Sequence, residues 1–322
     1  MRIERAIHVL ADGTALAVGA VCLAAATAAQ GGRFNTRLDL LTHFAPFWAL
    51  GCCLAAGYGL AFASPAWRPV LIGVGAAGVL AAAALMVPEM TRSIRPAVLA
   101  NAPRQIKLIQ FNAWDHNADV EASADWIAAE APDLVLMQEV ERPIREAMIR
   151  RGFHYLRGMA RTAIFSRAAP TWAPVQVPPH DWPVLPSFSR ATFISVGGDF
   201  SVVAVHLDRP TDATQKSQMA ALLDLLSRYP TDRLIVAGDF NLTPWSFTLR
   251  RLDDRMRMER LDRAIFSWPA RLFPGGRSRS AVPFLPIDHV YAGSAWRVVK
   301  IERGARLGSD HYPLIATLAL ED

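Results

Sequence analysis

Arg233–Asn241 reads Arg-Leu-Ile-Val-Ala-Gly-Asp-Phe-Asn. The apolar run predicts a buried strand over Arg233–Gly238, and the polar residues that close it arrive at the rim of a sheet. The same grammar recurs outward in both directions. Gln105–Asn112 (QIKLIQFN) and Leu134–Glu139 (LVLMQE) predict strands ending in Asn112 and Glu139, and Phe200–His206 predicts one ending in His206. Asp288-His289 and Ser309-Asp310-His311 lie beside later strands, expected at His289–Tyr291, Arg297–Ile301 and Pro313–Leu320. Thr162–Ser166 and Ala191–Val196 add two more, the second joined to Phe200–His206 by a Gly197-Gly198-Asp199 hairpin turn. Helical spacing marks Asp119–Glu130, with Val120, Ala124, Ile127 and Ala128 on one face, then Arg142–Arg151 and Thr211–Tyr229. Strands that alternate with helices early and dominate late specify an α/β fold, a layered α/β sandwich.

The rim residues are carboxylates, amides and histidines, with no Cys among them. Oxygen-rich ligation selects Mg²⁺ (or Mn²⁺) over structural zinc. A hard divalent ion beside a His acid/base suits attack by water on a phosphate ester.

The chain has 322 residues, 52% hydrophobic and 20% charged, which excludes a disordered chain, a collagen-like fibre and a charged coiled coil. Residues 1–100 hold 7 of the 34 Lys+Arg and 4 of the 29 Asp+Glu, so the apolar excess is concentrated there. Ala6–Gln30, Leu40–Ala63 and Pro69–Pro88 are each long enough to span a bilayer. Residues 1–90 therefore read as a membrane anchor of three transmembrane helices, 91–104 as a linker, and 105–322 as the catalytic domain. Asp12 is expected near the first interface, within reach of water. Arginines flank both ends of the spans in similar number, so charge does not choose an orientation. Cys22, Cys52 and Cys53 all fall in the anchor and form neither a metal spacing nor a disulfide framework. Beyond residue 100 the chain carries 27 basic and 25 acidic residues, which argues against a strong nucleic-acid field. The Arg-rich segment Arg250–Arg263 reads as a solvated face.

QFNAW at Gln110–Trp114, LMQEV at Leu136–Val140, TAIFSR at Thr162–Arg167, VVAVHL at Val202–Leu207, VAGDFN at Val236–Asn241, PIDHVY at Pro286–Tyr291 and GSDHYP at Gly308–Pro313 occur in the order and spacing of one family. In these motifs the chain from about Gln105 to Leu320 resembles the endonuclease/exonuclease/phosphatase superfamily. That superfamily includes pancreatic-type deoxyribonuclease, apurinic endonucleases, neutral sphingomyelinases and inositol polyphosphate 5-phosphatases. The resemblance implies a deoxyribonuclease-like sandwich. It further implies that Glu139 is the principal metal carboxylate, with Asn112 beside it, and that Asp310 also faces the metal. It implies that Asp239 aligns the attacking water, and that Asn241 helps hold the phosphate and Asp239. It implies that His311, oriented by Asp288, contacts the phosphate. His206 matches the second histidine of deoxyribonuclease-like members, which serves the leaving group. There is no match for the glutamate that supports this second histidine, nor for the phosphate-binding tyrosine of apurinic endonucleases. His289 has no motif support as a ligand and reads as structural.

The stretches Gly238–Ser246, Ser267–Ala270 and Phe284–His289 resemble a bacterial membrane-anchored branch that includes proteins tied to glycopeptide resistance. This implies a catalytic domain outside the cytoplasm, on a multi-pass protein of the bacterial inner (plasma) membrane, acting on a lipid or lipid-linked phosphate ester. The segment Ile265–Leu285, with Phe266, Trp268, Phe273, Phe284, Arg271, Arg277 and Arg279, suits lipid headgroups, though a packed cover over the sheet explains it equally. The partners expected are the lipid bilayer and a phosphate-ester substrate; the motifs specify no oligomeric state. A membrane-tethered endo/exonuclease acting on DNA or RNA is the alternative, lowered by the lack of a dense Lys/Arg stripe. A non-catalytic membrane binding protein is opposed by the complete metal and His/Asp set.

Overall fold

A computed structural model of the chain describes residues 2–171, 185–195, 198–272, 279–280 and 282–321. Gly197 of the expected hairpin turn, and Phe273 and Arg277 of the expected aromatic and arginine segment, lie outside the described residues. The chain divides into two units, one comprising Met1–Arg92 with Thr243–Arg251, the other Ser93–Leu242 with Leu252–Asp322.

The first unit holds helices α1 (Arg2–Ala29), α2 (Thr36–Asp39), α3 (Ala45–Ala61) and α4 (Arg68–Met90). Three helical stretches, Ala6–Arg33, Thr36–Ala61 and Arg68–Met90, are long and apolar enough to cross a membrane, with mean hydropathy of 1.9, 1.4 and 2.5. They point to membrane association. Their packing uses small residues, as helices in lipid do. A Cβ on Gly75 of α4 would come within 2.6 Å of the Cys52 carbonyl oxygen on α3, so only glycine permits that approach. Asp12 departs from expectation. It is 1% exposed, and its carboxylate accepts hydrogen bonds from the Tyr58 hydroxyl at 3.1 Å and the Ser64 hydroxyl at 2.7 Å. Protein hydroxyls, not water, satisfy it. Asp39 likewise accepts from the backbone N–H groups of Phe247 and Thr248, both at 2.9 Å, at the orphaned first turn of a helix that begins at Phe247.

The second unit contains α5 (Val120–Ala129), α6 (Arg142–Arg150) and α7 (Gln215–Ser227), while α8 (Phe247–Met256) straddles the division between the units. Its strands are β1 (Gln105–Asn112), β2 (Leu134–Gln138), β3 (His154–Arg157), β4 (Ala163–Ser166), β5 (Ser187–Phe193), β6 (Phe200–His206) and β7 (Leu234–Asp239). They continue with β8 (Glu259–Arg260), β9 (Arg271–Leu272), β10 (Arg279–Ser280), β11 (Asp288–Ala292), β12 (Trp296–Arg303) and β13 (Leu314–Leu320). One sheet has the order β12-β13-β1-β2-β4-β3, the other β5-β6-β7-β11-β8, and β9 pairs with β10. The layered sandwich expected from the strand pattern is what forms.

Strand alternation sorts the side chains between layers. Leu108, Leu134, Leu136 and Ile164 of one sheet meet Val202, Ala204, Ile235, Ala237, Val290 and Ala292 of the other in a dry inter-sheet core. Ile109, Phe111, Val135, Met137 and Phe165 face the opposite way and pack with Ala124 and Ile127 of α5 and with Ile144, Ala147 and Met148 of α6. Each fully buried Val, Leu, Ile, Met or Phe among these contributes about 1.5–3 kcal/mol.

Several sequence expectations shift. β5 begins at Ser187 and ends at Phe193, short of the expected strand end at Val196, which lies outside the described residues, and α7 is shorter than Thr211–Tyr229. Arg250–Arg263 is not a solvated face throughout. It contains most of α8 and β8, and Arg260 is 2% exposed, bonded to Asp253 at 3.0 Å. Ion pairing of the guanidinium hides it from a composition argument.

Candidate active site

The inter-sheet layer is apolar along most of its length and turns polar at one end. Counting by two along β1 from Leu108 leads to Gln110 and then Asn112. Along β2 it leads from Leu134 and Leu136 to Gln138, along β6 from Ala204 to His206, and along β7 from Ala237 to Asp239. β1 runs parallel to β2, and β6 to β7, so all four strands finish at this rim. β11 and β13 run antiparallel to their neighbours and start there, which brings Asp288 and the residues just before Leu314 to the same place. In register, His206 lies opposite Asp239, and Asp239 opposite Asp288. β6 and β7 come unusually close, since a Cβ on Gly238 would stand 1.8 Å from the Val205 carbonyl oxygen.

Asp239 is the focus. Its Oδ2 accepts from Asn112 Nδ2 at 3.1 Å and stands 3.6 Å from Nε2 of both His206 and His311. Its Oδ1 accepts the backbone N–H of Asn241 at 2.9 Å. Asn241 Nδ2 donates to the Leu207 carbonyl at 2.8 Å. Glu139 lies alongside, accepting from Asn112 Nδ2 and from the Asp115 N–H, both at 3.2 Å, with His206 Nε2 at 4.0 Å. His311 Nδ1 is 2.8 Å from Asp288 Oδ2, and Asp288 Oδ1 accepts from Gln110 Nε2 at 2.9 Å. All eight residues expected at the site from the sequence, namely Asn112, Glu139, His206, Asp239, Asn241, Asp288, Asp310 and His311, are thus brought to one rim. Glu139 and Asn241 occupy left-handed backbone with φ of 52° and 53°, a conformation non-glycine residues keep only where surroundings over-determine it.

The electrostatics follow from burial and neighbours. Burial alone would lower the His311 imidazole, but Asp288, Asp239 and Asp310 push it up to about 10. Burial works against ionisation of Asp288 too, yet the charge and hydrogen bond of His311 hold it below the usual carboxylate range. Asp239 moves up, because its burial outweighs the pull of His311 and His206. Burial also raises Asp310.

Ligand-type atoms of Asp239, Asp288 and His311 lie within 4.8 Å of one another, a group able to hold a divalent ion. Asp288, however, already accepts a hydrogen bond on each oxygen. Asp310 does not: Oδ2 accepts from Trp268 Nε1 at 3.0 Å, while Oδ1 is buried with no hydrogen-bond donor. A buried carboxylate oxygen without a donor, beside Glu139, fits a hard cation.

The sequence reading gave no site role to four supporting residues. Gln110 bridges the sheets, donating to Gln138 Oε1 at 2.8 Å as well as to Asp288. Ser309 donates to the Asn112 carbonyl at 2.7 Å and accepts from the His311 N–H at 3.0 Å. Trp268 orients Asp310. The parity rule along β1 and β2, applied to polar residues, finds Gln110 and Gln138; Trp268 and Ser309 have no such signal. The carboxylates within ion-pair distance of His206 are Glu139 and Asp239, so no separate supporting glutamate stands there among the described residues.

A family model described as the Endonuclease/Exonuclease/phosphatase family matches residues 109–311, well over half of the chain. The chain belongs to this family, whose members hydrolyse phosphate esters and generally use divalent metals. Its fold is similar to that of an endonuclease/exonuclease/phosphatase from Beutenbergia cavernae DSM 12333, at 22% identity and a TM-score of 0.52 over 68% of this chain and 72% of that one. A Bacteroides vulgatus endonuclease/exonuclease/phosphatase gives 18% identity and 0.55 over 67% and 99%. The mannosyl-6-phosphatase Bt3783 of Bacteroides thetaiotaomicron VPI-5482 gives 15% and 0.52 over 67% and 100%. No curated protein matches the chain.

Proposed function

On the premise of that membership, we propose that this chain is a membrane-anchored, divalent-metal-dependent phosphoesterase acting on a lipid or lipid-linked phosphate ester. The observation that carries the reading is the convergence of Asn112, His206 and His311 on one oxygen of Asp239, beside Glu139 and the donorless oxygen of Asp310. Glu139 and Asp310, with Asn112 beside them, would hold Mg²⁺ or Mn²⁺. Such an ion draws negative charge off a non-bridging phosphate oxygen. Asp239, raised by burial, takes the proton of the attacking water, whose oxygen bonds to phosphorus as the ester P–O bond breaks. The His311 imidazolium, kept charged by Asp288, donates to the phosphate. His206 protonates the departing oxygen, and Asn241 holds Asp239 through its backbone N–H.

Residues 1–90 serve as the anchor, 91–104 as the linker and 105–322 as the hydrolytic domain, which works outside the cytoplasm at the inner membrane. The lipid assignment is supported by Trp268, which packs edge-on against Phe284 at 5.8 Å while bonded to Asp310, and by the exposed Phe266 two residues before it. The test uses the full chain in detergent with Mg²⁺ against lipid phosphates, nucleotides, DNA and RNA, with Glu139→Ala as the blank. Turnover of lipid phosphates that EDTA abolishes is expected. Preferential, steeply salt-dependent cleavage of DNA or RNA would establish the nuclease instead. No turnover of any class ends both.

A further inference from the structure

Asp288 enters the pocket, so its neighbour His289 leaves by the opposite face of the sheet, and its imidazole is fully buried there. Nδ1 lies 2.7 Å from Asp262 Oδ2, and Nε2 lies 2.8 Å from the Leu242 carbonyl oxygen. The ring also meets the Phe240 ring edge-on at 5.7 Å. Phe240 and Leu242 are the two residues that flank Asn241. Asp262 is itself fixed, with Oδ1 accepting the Val290 N–H at 2.9 Å and Arg260 3.4 Å from Oδ2. A line of contacts therefore runs from Arg260 through Asp262 and His289 to both sides of the left-handed Asn241, whose N–H holds Asp239. The family reading uses none of these three residues.

We infer that His289, buttressed by Asp262, is a positioning residue that grips the Asp239–Leu242 turn from behind and keeps Asn241 and Asp239 in reacting geometry. The inference rests on the phosphoesterase reading of the pocket. It acts on how well the turn is held, so it affects turnover more than substrate affinity.

The test compares His289→Phe, which keeps a ring and removes both hydrogen bonds, with His289→Gln, long enough to offer Leu242 an amide donor, and His289→Asn, too short to reach it. In the full chain His289→Phe should lower kcat at least tenfold with KM within twofold. Gln should recover most of that loss and Asn should not. In an Asp239→Ala background His289→Phe should cost less than twofold of the residual turnover, because the carboxylate that the turn holds is already gone. Equal cost in both backgrounds, unchanged kcat, or equal kcat for Gln and Asn overturns the inference; the Gln–Asn contrast stands alone if the Phe variant does not fold. Hydrogen exchange reads the grip without catalysis. Amides of 239–242 should exchange at least tenfold faster in His289→Asn than in His289→Gln, with Val202–Val205 unchanged. Equal exchange overturns the inference, whereas a wild-type chain that hydrolyses nothing overturns the phosphoesterase reading instead.

Discussion

Two aspartate–histidine pairs meet on one strand of this protein, one residue apart. Asp288 pairs with His311 at 2.8 Å on the pocket face of β11, and His289 pairs with Asp262 at 2.7 Å on the other face. Both pairs are buried, and in both a carboxylate oxygen stands against the imidazole Nδ1. They differ at the second ring nitrogen. His289 Nε2 ends on the Leu242 carbonyl, so the ring is spent on holding the chain. His311 Nε2 faces Asp239 at 3.6 Å and Asp310 at 4.0 Å, within the polar end of the inter-sheet layer. What stands at the far nitrogen thus separates the two pairs, and the period of two along the strand decides which of them faces the pocket.

Substitutions on the two faces should differ in how far they reach the reaction. The largest effect is expected for Asp288→Asn, which leaves the shape and removes the charge that orients His311 and keeps it protonated. Its kcat should fall by about 10²–10⁴-fold, with the denaturant midpoint lowered as well because a buried pair loses one charge; a loss of kcat below tenfold would place the pair outside the reaction. Asp262→Ala should act mainly on stability. It leaves a buried imidazole without its carboxylate and takes one of two carboxylates from Arg260, which keeps Asp253 at 3.0 Å, costing about 3–5 kcal/mol by denaturant unfolding, more than its effect on the barrier. A smaller effect, in protonation alone, concerns pH. The His311 imidazole, ordinarily near 6.5, is held near 10, so its contribution to stability is whole below pH 6.5 and drains away as pH rises through 10. In the chelated protein its NMR resonances should stay those of an imidazolium through pH 8, and Asp288→Asn should bring the titration down. The other pair has the opposite sign. Burial would raise Asp262, but His289 and Arg260 hold it near 2 against an ordinary 3.8, so its support persists above pH 4 and fades as pH falls toward 2.

The sequence makes the pocket legible because its residues sit at the ends of apolar runs, and an apolar run declares both a strand and its rim. QIKLIQFN, LVLMQE and LIVAGDFN each carry this information locally. The three apolar helices declare themselves by length and hydropathy in the same way. What stayed hidden depends on partners far along the chain. Arg260 looks solvated until Asp253 and Asp262 are placed around it, and Asp12 looks wet until Tyr58 and Ser64 supply hydroxyls. His289 looks inert because its function is exercised on a backbone carbonyl that carries no sequence signature.

The rim groups are divided between the two sheets: Asn112, Glu139, Asp310 and His311 border one, and His206, Asp239, Asn241 and Asp288 the other, with Gln110 bridging the rim. On the proposed reading, turnover is therefore a sensitive gauge of the seam between the layers. A slip of about half an ångström is enough to spoil such a constellation, so on slow warming turnover is expected to fall before the circular dichroism of the sheets does.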